Sequence, residues 1–126
     1  MIHLDTNLLI GAIDTADEHH PTARRVLAGR GPFACSSVAW MEFHSQPLSP
    51  VLNDASRGML TGGIVPFDEA TAVLAGDLYY ATGSKRRTRL DTMIAATSIL
   101  AGAELATVNP DDFQAFLVYG LKLRVL

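Results

Sequence analysis

The chain has 126 residues, of which 48% are hydrophobic and 18% charged, and its formal net charge is −3. A length near the ~100–150-residue mode for domains predicts one core and a single domain over residues 1–126, and the low charged fraction excludes a disordered acidic or basic tail. The acidic balance also excludes holding nucleic acid by bulk electrostatics, so contact with a polyanion would need a local basic patch or metal ions.

Ile2-His3-Leu4 is a short apolar run that meets the polar Asp5-Thr6-Asn7, which predicts a buried strand ending in a turn. Leu8, Leu9, Ala12 and Ile13 recur at helical spacing behind Thr6 or Asn7 as N-cap, and a second helix is predicted over Asp17–Ala28, closed by Gly29 and Gly31. Phe33-Ala34-Cys35 reads as a strand, with Ser36 and Ser37 capping a helix that carries Val38, Met41 and Glu42 until Pro47 and Pro50 break it. A short helix over Val51–Leu60, a Gly62-Gly63 turn and an extended Ile64–Phe67 follow. Asp68 caps a long helix through Tyr79 that Gly83 stops. Ser84–Arg89 is a basic loop and Leu90–Leu100 an alanine-rich apolar helix ended by Gly102. Glu104–Val108 is a strand, Asn109–Asp112 a helix-starting turn, Phe113–Leu117 a short helix, and Leu121–Val125 an alternating edge strand. Strands alternating with helices predict a mostly parallel sheet covered on both faces, with ligands bound beyond the carboxyl ends of its strands. There is no repeat, linker or low-complexity segment.

Four acidic regions fall at such positions. Asp5 follows the first strand, Glu42 lies in the helix after the second, Asp91 opens the apolar Leu90–Leu100 helix, and Asp111 and Asp112 follow the strand ending near Val108. Carboxylates gathered at one end of a sheet repel one another, and burial raises their pKa values unless a cation compensates. Magnesium or manganese takes oxygen ligands of this kind, together with water and substrate phosphate, and supplies the chemistry of phosphodiester hydrolysis.

Ile-His-Leu-Asp5-Thr6-Asn7, Ser36-Ser37-Val-Ala-Trp-Met-Glu42, Arg89-Leu-Asp91-Thr-Met-Ile-Ala-Ala and Leu105-Ala-Thr107-Val-Asn109-Pro-Asp-Asp112-Phe113 together resemble the PIN-domain nucleases. The similarity is greatest to the VapC-type ribonuclease toxins of bacterial toxin–antitoxin systems, and order and spacing match across nearly the whole chain. The resemblance implies a three-layer α/β/α sandwich with Mg²⁺ or Mn²⁺ held between the acids. It also implies endoribonuclease activity on an RNA such as tRNA, a homodimer and a cognate antitoxin protein. Asp5, Glu42 and Asp91 match the family's first three acids. Asp112 matches the fourth, with Asp111 beside it able to share the role. Thr6, Asn7, Thr107 and Asn109 match groups that brace the acids. The sequence departs from the family after Glu42, where Phe43–Pro50 carries two prolines in a region that helps receive the antitoxin.

Lys85, Arg86, Arg87 and Arg89 form a basic cluster just before Asp91 and are candidate RNA-phosphate contacts, Arg87 and Arg89 above the others; the competing reading is a solvated loop. His3 reads as a core or edge histidine. His19-His20 has no partner at metal-ligand spacing, and His44 lies two residues past Glu42. Tyr79-Tyr80 and Trp40 read as core or interface rather than base-stacking platforms. Two further functions compete. A phosphoryl-accepting switch or phosphatase also uses an Asp after its first strand, but residue 7 is Asn where an Asp-x-Asp pair needs Asp, and the only lysines are Lys85 and Lys122. A PIN-like RNA-binding module with weak catalysis is opposed by the presence of every candidate acid. The single cysteine, Cys35, permits no intramolecular disulfide and no cysteine zinc cage, which fits a reducing cytosol. No apolar run nears the ~20 residues of a membrane span. The N-terminus lacks the pattern of a secretory signal, so a cytoplasmic location is expected.

Overall fold

The computed structural model describes all residues, 1–126. Five parallel strands, β1 (Ile2–Leu4), β2 (Phe33–Ser36), β3 (Gly63–Val65), β4 (Glu104–Ala106) and β5 (Lys122–Leu123), form one sheet in the order β3-β2-β1-β4-β5. Register pairs Ile2 with Phe33 and Glu104, so β1 is central. Six α-helices complete a three-layer α/β/α sandwich: α1 (Thr6–Ile13), α2 (His20–Leu27), α3 (Ser37–Phe43), α4 (Pro50–Met59), α5 (Glu69–Ala81) and α6 (Arg89–Ala101). The α1–α2 and α5–α6 pairs are the principal helix–helix contacts. Leu4, Leu9, Phe43, Ile94 and Leu105 are among the fully buried side chains of the core. No helix is long and apolar enough to cross a membrane.

The topology decides where a site can lie. The chain builds outward from β1 through β2 to β3, then crosses back to lay β4 on the other side of β1. The strand order therefore reverses between β1 and β4, and the crevice beyond their carboxyl ends is the place where such sheets bind ligands. Asp5 stands at the end of β1 and Thr107 at the end of β4, and the Asp5 N–H donates to the Ala106 carbonyl.

The expected elements are present, with shifted boundaries that have local causes. α2 begins at His20 rather than Asp17. Pro21 fits the first turn of a helix, and the Asp17 carboxylate accepts from the His19 N–H to make a turn instead. The prolines after Glu42 separate two helices: α3 ends at Phe43, and Pro50 starts α4 with Ser49 as its cap. Ser36 caps α3 through the Ala39 N–H, while Ser37 accepts from the Phe67 N–H. The basic loop contains a 3₁₀ turn at Arg86–Thr88. The expected α-helix at Phe113–Leu117 is a 3₁₀ segment over Pro110–Tyr119. Three-residue spacing puts Phe113 and Phe116 on one face, where both are buried with ring centroids 6.3 Å apart, and that repeat suits three residues per turn. β4 stops at Ala106, and the last strand pairs only through Lys122 and Leu123; Val125, expected to alternate inward, is 93% exposed.

Candidate metal centre

Asp5 is both a strand end and the N-cap of α1: its Oδ1 accepts from the Thr6 N–H at 2.9 Å, and its Oδ2 accepts from Thr107 Oγ1 at 2.7 Å. Thr107 is held in turn, because the Asn109 N–H donates to its Oγ1 at 3.0 Å. On the other side, Thr6 Oγ1 donates to Glu42 Oε1 at 2.8 Å. One hydrogen-bonded chain thus runs Asn109–Thr107–Asp5–Thr6–Glu42 and joins the ends of β1 and β4 to α3. Asp91 enters from the first turn of α6 and Asp112 from the first turn of the 3₁₀ segment.

The electrostatics tie these carboxylates together. Burial, followed by the charges of Asp5, Asp112 and Glu42, lifts the Asp91 pKa to about 7. Asp5, only 6% exposed, is raised chiefly by burial. Its bonds from Thr107 and Thr6 pull the other way, and the charge of Asp112 adds to the rise. Both Asp111 and Asp112 are exposed, and Asp112 is the one whose charge bears on Asp5 and Asp91. Neither ion pair of the protein, His19–Glu18 or Arg124–Glu104, involves these four acids. The result is a half-buried cluster of carboxylates without a protein cation.

The donor set is all hard oxygen and fits a divalent magnesium-like ion better than zinc or copper, since no histidine or cysteine joins it. His3 is buried in the core, where its Nδ1 meets Ser98 Oγ at 3.1 Å, and Cys35 is buried in β2. As they stand, no three acidic, histidine or cysteine side chains close around a common point.

The basic cluster is arranged differently from the acids. Lys85, Arg86 and Arg87 are exposed, and Arg89 stands over the Tyr79 ring at 6.0 Å from its centroid, in a pocket between α5 and α6. None of the four is among the main influences on Asp91, despite lying within six residues of it. Trp40 is partly buried against the core, with the rings of Phe43 and His44 at 5.3 and 4.5 Å. Tyr79 donates to the Ser84 carbonyl, while Tyr80 points to solvent.

A central parallel sheet with acids gathered at its strand-order reversal defines the class. The PIN domain family model matches residues 2–116, and the chain belongs to that family. Among solved structures it is similar to a toxin–antitoxin complex from Klebsiella pneumoniae, with 26% identity over 90% of this chain and 91% of that one and a TM-score of 0.70. It is similar to VapBC2 from Rickettsia felis bound to a DNA fragment from their promoter, with 23% identity, 98% of each chain and a TM-score of 0.69. It is also similar to VapC20 of Mycobacterium tuberculosis, a Sarcin-Ricin loop cleaving toxin, with 15% identity, 99% and 100% coverage and a TM-score of 0.70. No curated protein matches the sequence.

Proposed function

We propose that this protein is a divalent-metal-dependent endoribonuclease, the toxin of a VapBC-type pair. The observation that carries the reading is the cluster of Asp5, Glu42, Asp91 and Asp112 from four separate elements, braced by threonine hydroxyls and lacking a protein cation. Membership of the PIN domain family, and likeness to a toxin–antitoxin complex and to a toxin that cleaves the Sarcin-Ricin loop, support it.

Asp5 and Asp91 are the principal ligands for Mg²⁺ or Mn²⁺, with Glu42 and Asp112 completing the oxygen set. When bound, the ion supplies charge neutralisation at the phosphate and lowers the pKa of water. The remaining work belongs to the chain. Thr107 and the Thr6 N–H fix both Asp5 oxygens, so that carboxylate meets its ligand without rotamer search. Thr6 holds Glu42 on the opposite wall. Asp91, with a pKa about 7, must give up its proton for the cluster to bind an ion. Asn7 and Asn109 flank the two threonines. A cognate antitoxin, a homodimer and a cytoplasmic location belong to the same reading, with transfer RNA as the first substrate to test.

The test is cleavage of total cellular RNA by the purified chain with Mg²⁺ or Mn²⁺, mapped at nucleotide resolution. Discrete cuts that vanish with EDTA are expected; cutting that continues unchanged in EDTA overturns the metal assignment.

A further inference from the structure

Beyond the ion itself, basic side chains along the strand flanking the cut strengthen a nuclease's hold on a polyanion. Within the basic cluster before Asp91, Arg89 is turned onto Tyr79 between α5 and α6, while Lys85, Arg86 and Arg87 are exposed. The largest cleft lies elsewhere. It has a volume of about 630 Å³ and runs between α2 and β5, with Thr22, Arg25 and His19 on one wall, Arg124 on the other, and Val108 and Leu123 between them.

Three features fit this cleft to an extended single strand. Its lining includes Thr107, whose hydroxyl bonds Asp5, and Pro110, which opens the segment carrying Asp112, so one hydrogen bond separates the cleft from Asp5. It does not close on itself: Arg25 and Arg124 also line a second depression of about 210 Å³ that continues along α2 to Gly29 and Ile2, giving the groove the form of a track. Its cations are not equivalent. Arg124 is paired with Glu104 at 3.2 Å, whereas Arg25 is exposed and forms no ion pair; the His19 ring lies 3.3 Å from Glu18. The wall bearing Arg25 is also fixed in place. His20 Nδ1 bonds the Gly11 carbonyl at 2.7 Å, and a Cβ at Gly11 would stand 3.0 Å from the His19 backbone, so α1 and the start of α2 are closely packed there.

We infer that the α2–β5 groove carries the single-stranded RNA flanking the scissile phosphate, with the Arg25 guanidinium and the Thr22 hydroxyl holding a backbone phosphate and Val108 and Leu123 receiving the apolar faces of sugar and base. The inference rests on the nuclease reading and adds to it the direction in which substrate leaves the acids.

The experiment measures binding of a fluorescein-labelled, random-sequence single-stranded 20-mer RNA pool by anisotropy across a salt series, in an Asp91→Asn background that keeps the RNA intact. Arg25→Glu should weaken binding roughly tenfold at low salt. It should also reduce the slope of log K against log salt by about 0.7, the value for one lost phosphate contact to a single strand. Arg57→Glu, an equal charge change on α4, should do neither, and Thr22→Val should give a smaller loss with the slope unchanged. A parent chain that cleaves RNA while Arg25→Glu binds like the background, or while Arg57→Glu weakens binding as much, overturns the groove alone. A chain that neither binds nor cleaves RNA overturns the groove and the nuclease reading together.

Discussion

His3 and Asp5 are two residues apart on and just after β1, share one side of the strand, and are both nearly inaccessible to solvent, at 1% and 6% exposure. Burial penalises the charged form of each, and the molecule resolves the penalty in opposite ways. His3 has one partner, Ser98, and its Nε2 has none; desolvation drops its pKa to about 4 and the ring is neutral and structural. Asp5 has a donor on each oxygen and three acids near it, which is costly for folding and useful only if something positive arrives. Depth alone therefore does not mark a site. The partners do: hydroxyls and amides hold a carboxylate among other carboxylates, which under the proposed function is the setting for a cation, whereas a lone hydroxyl beside an imidazole completes a core.

Four changes bear on this contrast. The largest effect is expected from Asp91→Asn, which should lower metal-dependent RNA cleavage by at least ~10³-fold, as loss of a principal ligand and its electrostatic share would. The same change removes a repelled charge, so the chelated protein should gain about 1 kcal/mol and melt about 4 °C higher by calorimetry. A variant that is inactive and less stable would mean Asp91 supports the fold instead. Thr107→Val should cost roughly 10–100-fold in activity or Mn²⁺ affinity while leaving the circular dichroism spectrum unchanged, because it frees one oxygen of Asp5 without removing a ligand.

pH separates the two residues further. His3 has a folded pKa below its unfolded one, so its contribution to stability is full above about pH 6.5 and is lost as pH falls through about 4. Asp5 and Asp91 have raised pKa values and act with the opposite sign, protonation relieving their cost as pH falls through about 7 for Asp91. Subtracting the urea-unfolding curve of His3→Leu from that of the parent isolates the histidine. The parent should lose on the order of 2 kcal/mol relative to the variant between pH 6.5 and 4, and parallel curves would refute the assignment. The smallest effect is expected at the surface: breaking the exposed Arg124–Glu104 pair with Glu104→Gln should move stability by less than ~0.5 kcal/mol.

Much of this was legible in the sequence because the signals are local. Asp5 sits where an apolar run stops, and Asp91 opens a helix too apolar to be anything but buried. The mostly parallel sheet follows from alternation of elements, and every strand pair is parallel. What stayed hidden depends on neighbours far along the chain. The pairing of Ser98 with His3 spans 95 residues and that of Thr107 with Asp5 spans 102, and no window of sequence contains either. Asp112 matches the fourth acid through its motif, and its charge, rather than that of Asp111, bears on Asp5 and Asp91. Arg25 draws no notice in the sequence, and it lines a cleft only because β5 lies across from α2.

The Asp5–Thr107 bond also sets when the centre comes into being during synthesis. Its two halves leave the ribosome a hundred residues apart, and β1 has no second neighbour until β4 has emerged. Every nascent fragment shorter than Thr107 lacks both the brace on Asp5 and the fourth acid at Asp112. The pocket beyond the carboxyl ends of β1 and β4 therefore cannot be completed until most of the chain has been made.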